Sequence, residues 1–299
     1  MRSPQANASK KRADYLVDGE FPLTRDDFRQ IAGIAYADAG IDLGEAKASL
    51  VYSRLTKRLR ALRLESFRSY CELLENDPGS DERAQMVAAL TTNVTRFFRE
   101  PHHFEHLKSH VVTPLAAAAR SGAPVRIWSA ACSSGEEPYS IALTILSVIP
   151  EAASLNVRIL ATDIDPDVLQ KGQNGIYGEA AMAPVPAEMR QRWFSPQTDS
   201  TGTKTWRAGS ELRKLVAFKK LNLIGDWPMR GPFQAIFCRN ALIYFKEETQ
   251  LEVWSRFVPL LAADARLYIG HSERLFGDVA NAFANEAITT YRLRRGGAR

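Results

Sequence analysis

The sequence predicts an α/β protein in two parts, an all-helical segment followed by a mostly parallel sheet covered by helices. Residues from about 21 to 93 place apolar side chains at helical spacing, with few strand signals. From about residue 100, short apolar runs alternate with helical stretches, which is typical of βαβ units. With 299 residues, of which 45% are hydrophobic and 24% charged, the chain has an ordinary globular composition and the length for two domains.

The helical part begins with an N-cap signal, Thr24 followed three residues later by Asp27. Phe28, Ile31 and Ala35 then recur on one side of a helix. The residues before it, 1–20, are polar and of mixed charge. We therefore expect a flexible tail over 1–20 and a helical domain over 21–93.

The second part, predicted as one domain over 94–299, begins with a helical segment that Pro101 opens and that ends near residue 121. Helical patterns recur at about 138–149, 165–172 and 247–262. Four apolar runs predict strands, and they cover residues 125–128, 157–160, 235–237 and 267–269. Residues 194–218 break this rhythm with many Ser, Thr and Gly residues and two strand candidates, 203–207 and 214–218. We interpret them as a small antiparallel insertion.

Composition excludes several classes of protein. The longest nearly apolar stretch, Ile141 to Ile149, is about half of what a membrane span needs, so we expect no membrane insertion. The three cysteines are widely spaced and form no CxxC pair, which favours a reducing, cytoplasmic compartment. The net charge of +5 favours acidic partners.

The most informative segment follows the first strand of the sheet. Its small residues, Ala130 to Gly135, allow a backbone to approach a ligand at the carboxyl end of a strand. Glu136 and Glu137 come next, and carboxylates suit a cofactor with a cationic part and hydroxyls, such as S-adenosylmethionine, better than a pyrophosphate. Asp163 ends the second strand, where an acid can accept hydrogen bonds from ribose hydroxyls. An ordinary strand-to-helix turn with solvated carboxylates is the alternative.

An ordered set of motifs resembles the CheR-type chemoreceptor methyltransferases over about residues 21 to 293. They are TTNVTRFFRE (91–100), the 128–140 loop, ATDID (161–165), GPFQAIFCRNALIYF (231–245), RFVPLL (256–261) and GHSE (270–273). The resemblance implies a Rossmann-like class I S-adenosylmethionine methyltransferase domain with a small β-subdomain, preceded by an all-α domain. It also implies methyl transfer from S-adenosylmethionine to receptor glutamates. Arg96 and Ala241-Leu242 depart from the usual residues of these motifs.

The resemblance assigns roles to individual positions, and we expect no metal site. Arg99 and Tyr244 are expected to hold the incoming carboxylate. The expected cofactor contacts are Asn93, Thr95, Arg99, Glu136, Asp163, Asn222, Leu223, Arg239 and Asn240.

A basic helix supplies a candidate docking surface for the helical bundles of receptors. Residues 41–70 carry seven basic and three acidic side chains. The segment from Val51 to Arg63 gathers apolar residues on one side, and its candidate docking residues are Arg54, Lys57, Arg58 and Arg60. A solvated amphipathic helix is the other interpretation. We also expect a monomer. The resemblance implies that the insertion is a small β-subdomain, which in some members of the family pairs with a receptor C-terminal peptide.

Three other functions have sequence features to weigh. The basic segment and the cofactor fold suit a nucleic-acid methyltransferase, but no base-flipping pocket is evident, so we expect no nucleic-acid partner. A signalling scaffold with a lapsed pocket would be expected to lack Arg99, Asp163 or Asn240, and all three are present. A metal hydrolase is suggested by His102, His103, His106 and His110, but they form no HExxH motif, and a solvated helix is favoured.

Overall fold

The computed structural model describes residues 14–76, 81–199 and 201–294, which form two compact units. The first unit comprises the described residues up to Thr92 together with Tyr244–Lys246. The second comprises Asn93–Ile243 and the described residues from Glu247 onward. Residues 1–13 of the expected flexible tail lie outside the described part of the chain.

The first unit contains four described α-helices and a short hairpin. The helices are α1 (Arg25–Ala39), α2 (Ala48–Leu62), α3 (Phe67–Asn76) and α4 (Asp81–Leu90). Strand β1 (Tyr15–Val17) pairs antiparallel with β2 (Leu23–Thr24). A short hairpin therefore precedes the first helix, and its first strand, Tyr15–Val17, lies within the residues expected as the tail. Both strands are too short to show a recognisable alternation in the sequence.

The predicted start of α1 is confirmed at Thr24. Its side chain accepts a hydrogen bond from the backbone N–H of Asp27, and the Asp27 carboxylate reaches back to Thr24, which completes a capping box. Gly40 ends the helix in the left-handed conformation. The predicted apolar side, Phe28, Ile31 and Ala35, is buried.

The second unit is built on a seven-stranded sheet. Its strands are β3 (Val125–Ala130), β4 (Val157–Asp163), β8 (Val216–Lys220), β9 (Phe233–Cys238), β10 (Leu261–Ile269), β11 (Phe283–Ala287) and β12 (Thr290–Leu293). The order is β11-β12-β10-β9-β3-β4-β8. The five strands from β10 to β8 are parallel to one another, and β12 pairs antiparallel with both β10 and β11. The four predicted strands are confirmed. The chain winds outward from β3 in both directions, so the carboxyl ends of β3 and β9 flank a topological switch point.

Helices precede and connect the strands of the second unit. They are α5 (His102–Leu107), α6 (Thr113–Arg120), α7 (Glu136–Val148), α8 (Pro166–Asn174), α9 (Glu179–Met182), α10 (Ala187–Trp193), α11 (Ser210–Leu215) and α12 (Glu247–Phe257). Lys108–Val112 forms a π-helical turn between α5 and α6. None of the described helices is both long and apolar enough to cross a membrane.

The small antiparallel sheet differs from the predicted insertion at both ends. It consists of β5 (Ile176–Gly178), β6 (Phe194–Thr198) and β7 (Lys204–Ala208), with β7 in the middle. The assignment of residues 214–218 to this sheet is wrong, because Val216–Lys220 is the edge strand of the main sheet, parallel to β4. Val216 and Phe218 are buried while Ala217 and Lys219 are exposed. Such alternation is typical of antiparallel strands, and it also occurs in an edge strand that has only one face buried.

Candidate functional site

A tightly folded loop joins β3 to α7. Gly135 has a φ of 96°, and a Cβ added there would lie 2.9 Å from the Cα of Gly172 and 2.8 Å from the hydroxyl of Tyr177. Ala131 and Ser133 also have positive φ values. The backbone therefore turns sharply at the carboxyl end of β3, in a space that only glycine fits at position 135.

Asp163 holds this loop at the end of β4. Its Oδ2 accepts a hydrogen bond from Ser133 N at 2.8 Å, and its Oδ1 accepts one from Asp165 N at 3.1 Å. Burial raises the pKa of Asp163, and the two backbone N–H groups partly offset that effect. The carboxylate thus joins the ends of two neighbouring strands.

Asn93 belongs to the same hydrogen-bonded frame. Its side-chain amide donates to Asp165 Oδ2 at 2.7 Å, and its carbonyl accepts from Ser133 Oγ at 2.9 Å. The other oxygen of Asp165 caps α8 by accepting from Asp167 N at 2.8 Å. The structure therefore brings two predicted cofactor residues, Asn93 and Asp163, to one place.

Glu136 and Glu137 open α7 and have different surroundings. Glu136 accepts a hydrogen bond from Ser134 Oγ at 2.7 Å, and burial raises its pKa. Glu137 accepts from Ser129 Oγ at 2.7 Å and pairs with Arg239. Burial raises the pKa of Glu137, although the nearby guanidinium favours its charged form. Of the two, Glu136 is the predicted cofactor residue, and Glu137 is an internal ion-pair partner.

Arg239 lies after β9 inside a buried ion-pair network. Its Nη1 donates to Glu137 at 2.9 Å, and its Nη2 lies 3.3 Å from Glu100 and donates to the carbonyl of Arg99. The side chain is only 2% exposed. The structure therefore gives Arg239 a role in connecting the 93–100 segment to the sheet, and direct contact with cofactor stays a prediction for it.

Asn240 follows in the left-handed conformation, with a φ of 59°. Its N–H donates to Glu273 Oε2 at 2.8 Å. Glu273, the last residue of the GHSE motif, is 6% exposed, and the sequence predicts no role for it. A glutamate near a strand end gives no sign in sequence that its partners are backbone N–H groups.

Two more predicted residues follow β8 at the same edge of the sheet. Asn222 Oδ1 accepts a hydrogen bond from Ile224 N at 3.1 Å and shapes the turn. Leu223 is buried, and its carbonyl accepts from Arg256 at 3.0 Å. The guanidinium of Arg256 lies 4.0 Å above the ring of Trp227. These contacts anchor the turn to α12.

Arg99 and Thr95 lie in the segment that carries Asn93. Arg99 Nη1 donates to the carbonyl of Val94 at 3.1 Å, and both Thr95 and Arg99 are half-buried. Among the described residues, no acid pairs with Arg99. Its remaining guanidinium donors are therefore available to an anionic ligand.

Tyr244 belongs to the helical unit rather than to the sheet unit. Its carbonyl accepts a hydrogen bond from Asp42 N at 2.8 Å, and Lys47 Nζ lies 5.5 Å from the centre of its ring. The next residue, Phe245, forms an isolated bridge with Ile41. No local sequence pattern indicates that these residues leave the sheet unit, and a catalytic role for Tyr244 stays a prediction.

Three of the four predicted docking residues have structural partners within the helical unit. Arg54 donates to the carbonyls of Ala89, Leu90 and Thr91 at 3.3, 2.7 and 2.6 Å, at the end of α4. Arg58 pairs with Glu82, and Arg60 pairs with Glu20. Lys57 is exposed and pairs with no acid among the described residues. The basic helix therefore leaves fewer cations for a partner than its composition indicates.

The histidines near α5 assemble a different set from the one weighed in the sequence. Ligand atoms of Glu100, His102 and His103 lie within 4.8 Å of one another. The same Glu100 carboxylate, however, lies 3.3 Å from the guanidinium of Arg239, so this cluster already contains its cation. His103 Nε2 is 2.9 Å from Thr289 Oγ1, and burial lowers the pKa of His103 to about 3.

A small-residue loop, an acid at the end of the second parallel strand and a topological switch point define a cofactor-binding α/β protein of the nucleotide-binding type. Residues 93–292 match the family described as "CheR methyltransferase, SAM binding domain", and residues 26–91 match "CheR methyltransferase, all-alpha domain". The chain therefore belongs to the CheR methyltransferase family. S-adenosylmethionine is its cofactor, and the buried carboxylates and the close-packed turn at Gly135 fit a ligand with hydroxyls and a cationic sulfur.

Curated relatives agree with this assignment. The chain is 52% identical to a probable chemotaxis protein methyltransferase of Rhizobium etli, over 86% of this chain and 96% of that protein. It is 44% identical to chemotaxis protein methyltransferase 2 of Pseudomonas aeruginosa, over 85% and 88% of the two chains. It is 42% identical to the chemotaxis protein methyltransferase of Escherichia coli, over 89% and 90%.

Proposed function

We propose that this protein transfers the methyl group of S-adenosylmethionine to glutamate side chains of chemotaxis receptors and so forms glutamate methyl esters. The guanidinium of Arg99 is the observation that supports an acidic methyl acceptor. Arg99 presents unused guanidinium donors in the same short segment in which Asn93 bonds to the frame of Asp165 and Ser133. The names of the relatives support a role in chemotaxis.

A glutamate acceptor matches the chemistry that the site has to perform. A glutamate carboxylate is already ionised at neutral pH, so no strong base is needed to activate it. The cofactor supplies a methyl group activated on a sulfonium. The work of the protein is then to exclude water and to align a carboxylate oxygen with that methyl group.

Arg99 and Tyr244 are the residues that we assign to the incoming carboxylate. Arg99 attracts it, and Tyr244 donates a hydrogen bond to it. A very tight ion pair with Arg99 would stabilise the ground state and slow transfer, so moderate attraction serves turnover best. Wild-type turnover in both Arg99→Ala and Tyr244→Phe, at unchanged cofactor affinity, would contradict this assignment.

Receptor docking rests on the exposed part of the basic helix α2. Lys57 is the predicted docking residue that pairs with no acid among the described residues, and Arg60 reaches solvent beside it. Arg54 and Arg58 act mainly within the helical unit. We therefore place the docking contribution mainly at Lys57 and Arg60.

The small sheet is the proposed site for a receptor C-terminal peptide. Strand β6 (Phe194–Thr198) is an edge strand, and within the described residues its outer side pairs with no other strand. An extended peptide can add to such an edge by main-chain hydrogen bonds. Trp206 on the neighbouring strand contacts Arg190 and Glu179, which gives the surface an aromatic and charged lining.

The decisive experiment follows tritiated methyl groups from S-adenosylmethionine into receptor cytoplasmic fragments. We expect label that mild base releases as methanol and that disappears when receptor glutamates are replaced by alanine. Base-stable label on protein would contradict the ester. Label on DNA or RNA instead of receptor would favour a nucleic-acid methyltransferase.

A further inference from the structure

Glu273 lies between the ends of two neighbouring parallel strands and accepts four backbone hydrogen bonds. Its Oε1 accepts from Ala241 N at 3.0 Å and from Leu242 N at 2.9 Å. Its Oε2 accepts from Asn240 N at 2.8 Å and from Gly270 N at 2.6 Å. Three of these donors belong to the loop after β9, and the fourth follows β10.

The four donors point at one spot because the loop folds back over it. Consecutive N–H groups that converge in this way form an anion-binding hollow. Here the anion is the chain's own carboxylate, which is 6% exposed. Without it, the N–H groups of Leu242 and Gly270 would be buried with no acceptor, and the part-buried N–H groups of Asn240 and Ala241 would also lose theirs, at a cost in free energy.

Asn240 depends on this arrangement for its conformation. Its φ of 59° lies in the left-handed region, which asparagine adopts more readily than most residues with a side chain, and its N–H is one of the four donors. Its side chain lies against Gly270, where an added Cβ would be 2.4 Å from Asn240 Nδ2 and 2.7 Å from Asn240 N. The backbone of Gly270 and the carboxylate of Glu273 therefore fix Asn240 from two sides.

We infer that Glu273 is a positioning residue for cofactor binding: its carboxylate holds the Arg239–Leu242 loop so that Asn240 faces the cofactor at the carboxyl edge of the sheet. This inference rests on the proposed contact between Asn240 and cofactor, and not on the identity of the methyl acceptor. Glu273 itself acts through the loop.

The test is a double-mutant cycle on affinity for S-adenosylmethionine, measured by calorimetry well below the thermal midpoints of the variants. Glu273→Gln keeps the shape but sets an NH₂ group against backbone donors, and we expect affinity to fall about tenfold. Asn240→Ala should show a similar loss. The double variant should bind no more than about twofold weaker than Glu273→Gln alone, because both changes remove the same contact.

Glu286→Gln is the matched control in the same unit. It removes a carboxylate that pairs with Arg266 at 2.9 Å but that accepts no hydrogen bond from the Asn240 loop. We expect it to lower the thermal midpoint and to leave affinity unchanged. An equal loss of affinity in Glu286→Gln would overturn the inference, because general destabilisation would then explain the effect.

Gly270→Ala keeps the inference testable if Glu273→Gln does not fold. The added methyl group displaces Asn240 while the carboxylate remains, so affinity should fall as in Asn240→Ala. Normal affinity in Gly270→Ala or Glu273→Gln, or losses that simply multiply in the double variant, would overturn the inference. Failure of the proposed function would be seen separately, as wild-type protein that binds cofactor but forms no base-labile ester.

Discussion

The guanidinium of Arg239 lies 2.9 Å from the carboxylate of Glu137, and both side chains are almost completely buried. Ser129 Oγ also donates to Glu137, and the carbonyl of Arg99 accepts from Arg239, so each charge has further polar partners. A buried pair of this kind adds little stability over an apolar one, but removal of one partner leaves an uncompensated charge. The pair thus couples the end of β9 to the start of α7.

Arg239→Ala is expected to destabilise the second unit strongly. Glu137 and Glu100 would lose their main cation, and the free energy of unfolding should fall by about 3 kcal/mol or more. Urea denaturation measures this as a lower midpoint. Arg120→Ala is the control, because the Arg120–Glu151 pair is about half exposed and its loss should cost less than about 1 kcal/mol. Equal effects of the two substitutions would contradict a structural role for Arg239.

Asp163→Ala is expected to weaken binding of S-adenosylmethionine by at least about tenfold. The substitution removes the proposed ribose acceptor and also the acceptor for Ser133 N and Asp165 N, so the loop loses its fixed shape. Calorimetric titration gives the affinity. Asp167→Ala changes an exposed acid in the first turn of α8 and should bind as the wild type does. Unchanged affinity in Asp163→Ala would remove this residue from the site.

Charge reversal on α2 should separate docking from folding. Lys57→Glu is expected to reduce receptor methylation severalfold at unchanged thermal midpoint, because the side chain is exposed. Arg54→Glu should lower the midpoint, since the three carbonyls at the end of α4 would face a carboxylate instead of a donor. Full methylation activity in Lys57→Glu would refute the docking role.

His103 should make stability depend on pH. Its folded-state pKa of about 3 lies below the ordinary 6.5, so the unfolded chain binds a proton at a pH where the folded protein does not. The contribution of neutral His103 to the free energy of unfolding is complete above the unfolded-state pKa of 6.5, and it falls as the pH drops from 6.5 towards 3. Between pH 7 and pH 5 the loss is about 2 kcal/mol. Denaturation of wild type and of His103→Gln at both pH values measures it, and an identical pH dependence of the two proteins would contradict it.

Sequence patterns predicted the elements whose cause is local. The capping box at Thr24 and Asp27 is formed by residues three positions apart, and buried parallel strands such as 235–237 are continuous apolar runs. The strand at 216–220 was assigned to the wrong sheet because its alternation reports one buried face but not which neighbour it pairs with. Pairing between distant strands leaves no mark in a short window of sequence.

The candidate site residues also separate into those with a local sequence pattern and those whose partners are distant in sequence. The place of Asp163 at the end of β4 was predictable because an acid that ends an apolar strand is a local pattern, and its contact with cofactor stays a prediction. The internal partners of Arg54 and Arg58 were not, because Arg54 meets Thr91, and Arg58 meets Glu82, only after the helices pack. Glu273 was missed because its four partners are backbone N–H groups, which every residue except proline carries.

The short excursion of Tyr244–Lys246 into the helical unit sets a limit on how this protein can be divided. A chain trimmed to begin at residue 93 would keep Phe245 but lose Ile41, its bridging partner, and Asp42, whose N–H bonds to the carbonyl of Tyr244. The backbone of Phe245 and the carbonyl of Tyr244 would then lose these partners, and the half-buried side chain of Phe245 would become more exposed. Truncation at the boundary between the two matched domains would therefore remove contacts that Tyr244–Lys246 makes in the intact chain. The segment from residue 93 onward includes three residues that belong to the helical unit, and the backbone partners of Tyr244 and Phe245 lie there.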